Sequence, residues 1–183
     1  TFRQRLEGQD VQHLKYGTAS ALTTTLSFWV KSNKTGTYTV SVENEDTQIF
    51  NGRTYTINSA GTWEYKTLTF VGQKTEESKA GPSNDTGPGI ELQWWLKAGA
   101  SFTSGTLVEN TWQSTGNKRA SASNVNVADT VGNYWQITGV QWEIGSQATP
   151  FEHRSISDEL TLCMRYFEKV VCHSFPMAPA GNN

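Results

Sequence analysis

Leu22-Thr23-Thr24-Thr25-Leu26-Ser27-Phe28-Trp29-Val30-Lys31 decides the fold class. Successive side chains of a strand point to opposite faces, so this run sorts into two sets. Leu22, Thr24, Leu26, Phe28 and Val30 share one face. Thr23, Thr25, Ser27, Trp29 and Lys31 share the other. β-branched and aromatic residues fit a pleated, half-buried surface, and here they dominate. The run is a strand with one core face, and Trp29 stands on the wrong side for that core.

The same period extends in both directions. Ser32-Asn33-Lys34-Thr35-Gly36 reads as a turn, and Thr37 to Glu43 as the next strand with Tyr38, Val40 and Val42 inward. The two strands are expected to form a hairpin. Phe2 to Leu14 reads as an opening strand region. Glu45 to Ser59 reads as an irregular piece ending in Tyr55 and Ile57. Trp63 to Val71 is a strand with Leu68 and Phe70 on one face. Gly72 to Gly89 is a polar loop of unusual length, a feature associated with function or mobility. Ile90 to Lys97 alternates again: Ile90, Leu92, Trp94 and Leu96 against Glu91, Gln93, Trp95 and Lys97. Ala98 to Ala128 is poor in large apolar residues. Tyr134 to Ile144 closes the β region, with Val140, Trp142 and Ile144 on one side.

The period then changes. Thr149-Pro150 does not continue a central strand. Ser155, Ser157, Asp158 and Glu159 form a helix start, with hydroxyls to cap free N–H groups and acids to suit the helix dipole. Leu160, Cys163, Met164, Phe167 and Val171 recur at helical spacing, so this helix is expected to pack on the sandwich or on a neighbouring chain. The expectation is an all-β, jelly-roll-type sandwich of about seven to nine antiparallel strands with a C-terminal α-helix. Residues 1–149 form the sandwich, 150–173 the linker and helix, and 174–183 a tail or linker to a distal part.

The 183 residues suit one well-cored domain. A formal charge of −2 without a basic block argues against nucleic acid as a partner. No apolar run reaches the roughly 18 residues of a membrane span. The chain begins at Thr1 rather than Met and reads as part of a longer or processed protein. Cys163 and Cys172 lie too far apart for a disulfide along a continuous helix, and pair only if the helix ends near Val170.

Nucleophile and metal-protease motifs are absent from the sequence. His13, His153 and His173 are scattered, and read as surface or structural residues. Glu91 and Glu143 are the candidate carboxylates for glycoside hydrolysis, with outward rim charges as the simpler reading. No catalytic residue is assigned, and no enzyme activity is expected. Trp29 and Trp95 stand on outer faces and are the candidate ligand-binding residues. Flat rings of this kind stack on sugars, or pack beneath a covering element. Glu7, Asp10 and Glu143 are the candidate metal ligands if the first and last strands lie together. A structural calcium is the ion they suit, and no other cofactor is expected.

Leu26 to Ser32, Gly36 to Val42, Gly61 to Tyr65 and Tyr134 to Gly145 resemble strand signatures of jelly-roll carbohydrate-binding modules. Two longer stretches resemble a domain of tail fibres and related virion proteins of tailed bacteriophages. These are Leu6 to Lys15 with the Ser27 to Asn33 strand, and Gly139 to Ser155 running into Glu159 to Lys169. The resemblance implies a virion fibre module, extracellular and trimeric, that builds the fibre or touches a host surface polysaccharide. The alternative is a carbohydrate-binding module of a secreted or cell-surface glycan-active protein. The resemblance brings no ligand residues with it.

Overall fold

The structure, a computed structural model, describes residues 1–75 and 79–167. The chain divides into two compact units, Thr1–Phe151 and Glu152–Asn183.

The first unit is an all-β sandwich. Its strands are β1 (Phe2–Glu7), β2 (Thr24–Ser32), β3 (Gly36–Asn44), β4 (Ile49–Ile57), β5 (Glu64–Phe70), β6 (Pro88–Trp95), β7 (Trp112–Gln113) and β8 (Trp135–Ile144). They form a five-stranded sheet, β1-β6-β3-β4-β7, and a three-stranded sheet, β5-β2-β8, with every pairing antiparallel. The core lies between the sheets. Leu26, Phe28, Val30, Leu68 and Phe70 come from one; Tyr38, Val40, Val42, Tyr55, Ile57, Ile90, Leu92 and Trp94 from the other. Each such side chain contributes about 1.5–3 kcal/mol by leaving water. The Phe28 ring packs edge-on against Tyr55 and Trp94, at 5.3 and 5.8 Å. Thr24 also faces inward, and its hydroxyl is paired with the buried Tyr16 hydroxyl at 3.3 Å. Burial pushes the Tyr16 phenol up to about 12, against the smaller pull of that hydrogen bond.

The expected β2–β3 hairpin does not form. β2 pairs with β5 and β8, whereas β3 pairs with β4 and β6. Asn33–Thr35 therefore carries the chain from one sheet to the other. The Ser32 hydroxyl fixes the corner by donating to Tyr134 O at 2.6 Å and accepting from Lys34 N at 3.0 Å.

The opening region is a strand followed by a 3-10 helix, Gly8–Leu14, whose Val11 and Leu14 are buried. Ile49–Ile57 is a full strand and not an irregular piece. Asn51-Gly52 masks it in the sequence; there, Gly52 leaves the space that Leu107 fills. The long loop after β5 is tied down at several points. Gly87 O and Asp85 O accept from Gly8 N and Gln9 N at 2.9 and 2.8 Å, and Gln73 O accepts from Gly17 N at 2.8 Å.

β8 contains a bulge. Its register against β2 slips between Ser27 and Trp29, at Gly139 with φ +57. The extra residue moves the inward set from Trp135 and Ile137 to Trp142, and all three pack against the core. Left-handed backbone costs an ordinary residue about 1–2 kcal/mol, which suits glycine here.

The 98–128 segment is a cover. A single helical turn α1 (Ala100–Thr103) and a 3-10 turn (Gly116–Lys118) lie on it. It docks through Asn124, which accepts from Thr39 N at 2.7 Å and donates to Trp95 O at 2.9 Å. Val125 N and Val127 N extend the contact to Thr37 O and Leu96 O, both at 2.8 Å.

The second unit contains α2 (Ile156–Met164). Its start is as the sequence requires: Ser155 accepts from Asp158 N at 3.2 Å, with Asp158 and Glu159 in the first turn. Val171, Cys172 and His173, and with them the Cys163–Cys172 pairing and the 174–183 tail, lie outside the described residues.

Candidate functional site

The outer face of the three-stranded sheet has a covered end and an open end. At the covered end, Thr25 and Glu143 are held by the 145–149 turn. The Thr25 hydroxyl donates to Gly145 O at 2.8 Å. Glu143 accepts from Thr149 N and its hydroxyl at 2.8 and 2.7 Å, and from Gln141 Nε2 at 2.9 Å. The Gln141 amide first, then Thr149, holds the Glu143 carboxyl below the usual carboxylate range.

At the open end stand Trp29 and Tyr65, cross-strand partners on β2 and β5. They are 44% and 46% exposed. Their ring centroids are 5.3 Å apart and tilted by 47°. The Gly139 bulge explains how Trp29 lies over β8: a Cβ there would sit 3.3 Å from Trp29 Cδ1. Lys31 extends the surface toward Trp63, its ammonium 5.9 Å from the ring centre. Thr67, Gln136 and Thr138 are exposed beside the rings. The surface thus offers flat apolar plates ringed by hydroxyl and amide groups. Sequence reasoning found Trp29. It missed Tyr65, although Tyr65 falls out of step with the inward pair Leu68 and Phe70, which is the available signal.

Trp95 has a different setting. It is only 3% exposed, under the 98–128 cover. Its indole N–H donates to the Ser41 hydroxyl at 2.8 Å, and its ring lies 5.0 Å from Phe102. Beside it runs a buried polar network on the outer face of the five-stranded sheet. Gln93 Nε2 donates to Glu43 Oε2 and Glu91 Oε1, both at 2.6 Å. Arg119 pairs with Glu43 at 2.5 Å, Arg5 with Glu91 at 2.6 Å and Arg3 with Glu91 at 3.3 Å. Burial pushes the Glu43 carboxyl up to about 7 against the opposing pull of Arg119. Burial, with Glu91 nearby, also raises Glu45.

The residues expected to hold calcium are not gathered. Glu7 ends β1 in the five-stranded sheet, Asp10 lies on the 3-10 helix, and Glu143 is on β8 in the other sheet. Asp10 and Glu143 share the lining of a small cleft of about 120 Å³ with His13. Among the described residues, the one acidic trio with oxygens within 4.8 Å of one another is Glu43, Glu45 and Glu91. Calcium needs six to eight oxygen ligands. Glu43 and Glu91 are already met by guanidinium and amide donors, so the trio does not fit a calcium site. Glu91 and Glu143, the candidate acid pair, lie on opposite outer faces of the sandwich and cannot flank one glycosidic bond.

Among the described residues no helix is long and apolar enough to cross a membrane. Comparison with known proteins gives no significant match to a family model, a curated protein or a solved structure.

Proposed function

We propose that this chain is a non-enzymatic module of a bacteriophage tail fibre, and that it binds a host surface glycan through the open face of its three-stranded sheet. The observation that carries the binding half is the exposed Trp29–Tyr65 pair. Two half-exposed rings on a stiff sheet are costly to leave in water. Sugars present flat C–H faces to such rings and hydroxyls to groups like Thr67, Gln136 and Thr138. The virion half is supported by the resemblance of Leu6 to Lys15 with Ser27 to Asn33, and of Gly139 to Ser155 with Glu159 to Lys169, to fibre domains, and by the sandwich that such a domain requires. Fibres are assembled from copies of one chain, so a homotrimer is the expected state.

The test is glycan binding by the purified chain, read by the quenching of tryptophan emission. Trp29→Ala and Tyr65→Ala are expected to weaken binding about tenfold or more while melting stays near that of the wild type. Unchanged affinity in both variants overturns the platform. Light scattering separates the two settings. A stable trimer supports the fibre module, and a monomer that binds glycan supports the carbohydrate-binding module of a secreted or cell-surface protein.

A further inference from the structure

We infer that a cleft on the outer face of the five-stranded sheet is a second ligand site, shaped for a carboxylate-bearing sugar unit. It is lined by Arg3, Gln93, Trp95, Lys97, Phe102 and Arg119, and encloses about 410 Å³. That volume falls in the range of small-ligand sites. It is separate from the Trp29–Tyr65 face, which belongs to the other sheet.

Three features set the ligand chemistry. The first is charge. Arg3, Lys97 and Arg119 all face the cleft, and Lys97 makes no ion pair with any described residue. Four cations (Arg3, Arg5, Lys97, Arg119) stand against three carboxylates (Glu43, Glu45, Glu91), so the region is net positive. The second is positioning. Glu43 fixes the Arg119 guanidinium from behind, with Nη1 3.0 Å from Oε2, and Glu91 holds Arg3 at 3.3 Å. Two guanidiniums braced this way favour a planar carboxylate through paired N–H donors. The third is the wall. Phe102, tilted against Trp95 by 51°, keeps part of its ring exposed for the apolar side of a sugar ring. A bare anion uses only the first two features; an acidic sugar uses all three.

The glycan-binding reading above supplies the sugar half of this ligand, while the anion half stands on the cleft alone. The experiment uses an oligogalacturonate and its methyl ester, which differ in charge but not in ring shape, with inorganic phosphate as a third probe. Titration calorimetry on the full chain is expected to show the acid form binding about tenfold more tightly than the ester, with the gap narrowing as salt is added. Lys97→Ala is expected to weaken the acid form about three- to tenfold with an unchanged melting temperature, and Arg119→Lys to weaken it further. Trp29→Ala should leave the preference for acid over ester unchanged, since the Trp29–Tyr65 plate carries no charge to read the carboxylate, so failure of the platform and failure of the cleft are distinguishable. Equal binding of acid and ester, or wild-type affinity in Lys97→Ala, overturns the site. Phosphate binding as tight as the oligomer overturns the sugar assignment.

Discussion

The two outer faces of this sandwich carry similar residues and have opposite fates. On β2, Trp29 alternates with Phe28 and Val30. On β6, Trp95 alternates with Trp94 and Leu92. In both strands an aromatic ring stands on the side away from the core. Trp95 is only 3% exposed, packed under the 98–128 segment where it lines the cleft beside Phe102 and Arg119, whereas Trp29 faces water beside Tyr65. An outward aromatic is therefore not in itself an exposed stacking plate. What decides its role is whether another segment can satisfy both the ring and the polar groups around it. The 98–128 segment does this with Phe102, Arg119 and Asn124. The 145–149 turn does it for only one end of the other face, at Thr25 and Glu143.

The largest expected effect tests the sealed side. Trp95→Ala should cost about 3–5 kcal/mol in urea unfolding, because it opens a cavity beneath the cover and strands the Ser41 hydroxyl. A loss below about 1 kcal/mol would mean the cover does not pack as described.

Next is the bulge that supports the open side. Gly139→Ala should cost about 1–2 kcal/mol through the positive φ, and should displace Trp29, whose Cδ1 the new methyl would crowd. A shift of tryptophan emission together with weakened glycan binding would tie the platform to the bulge.

A pH scan sharpens the difference between the faces. Glu43 is raised from its ordinary value near 4.5 to about 7 by burial, with Arg119 opposing. A carboxyl raised on folding adds stability that is complete below about pH 4.5 and is lost as pH rises through about 7. Wild type should therefore melt higher at pH 5 than at pH 8, and Glu43→Gln should remove much of that slope. Glu143, on the open sheet, is lowered by Gln141 and Thr149, so its contribution is present above the ordinary carboxylate range and fades only in stronger acid. A Glu43→Gln variant with an unchanged slope between pH 5 and 8 would remove Glu43 as the cause.

The smallest effect on stability is expected from Trp29→Ala, about 1 kcal/mol or less, since the ring is already half in water and loses chiefly its contact with Tyr65. A cost matching that of Trp95→Ala would erase the contrast between the faces.

Much of the sandwich was legible because period-two alternation is local. Leu26, Phe28 and Val30 had to share a face, as did Leu92 and Trp94, and Ser155 with Asp158 and Glu159 had to start a helix. β4 was hidden because Asn51-Gly52 breaks the apolar pattern while the backbone pairing continues across it. The β8 bulge left a trace that goes unread without the structure: the core residues change from odd positions, Trp135 and Ile137, to an even one, Trp142, across Gly139.

The sequence by itself thus determined that the chain builds two-faced strands, and which residues of each strand share a face, because that follows from backbone geometry one residue at a time. The tertiary structure alone decided which strands pair, as the separation of β2 from β3 shows, and which outer face is covered. Those outcomes depend on segments distant in sequence and without period, such as Phe102, Arg119 and Asn124. Their hydrogen bonds and ring contacts exist only once the sheets have formed the surface that receives them.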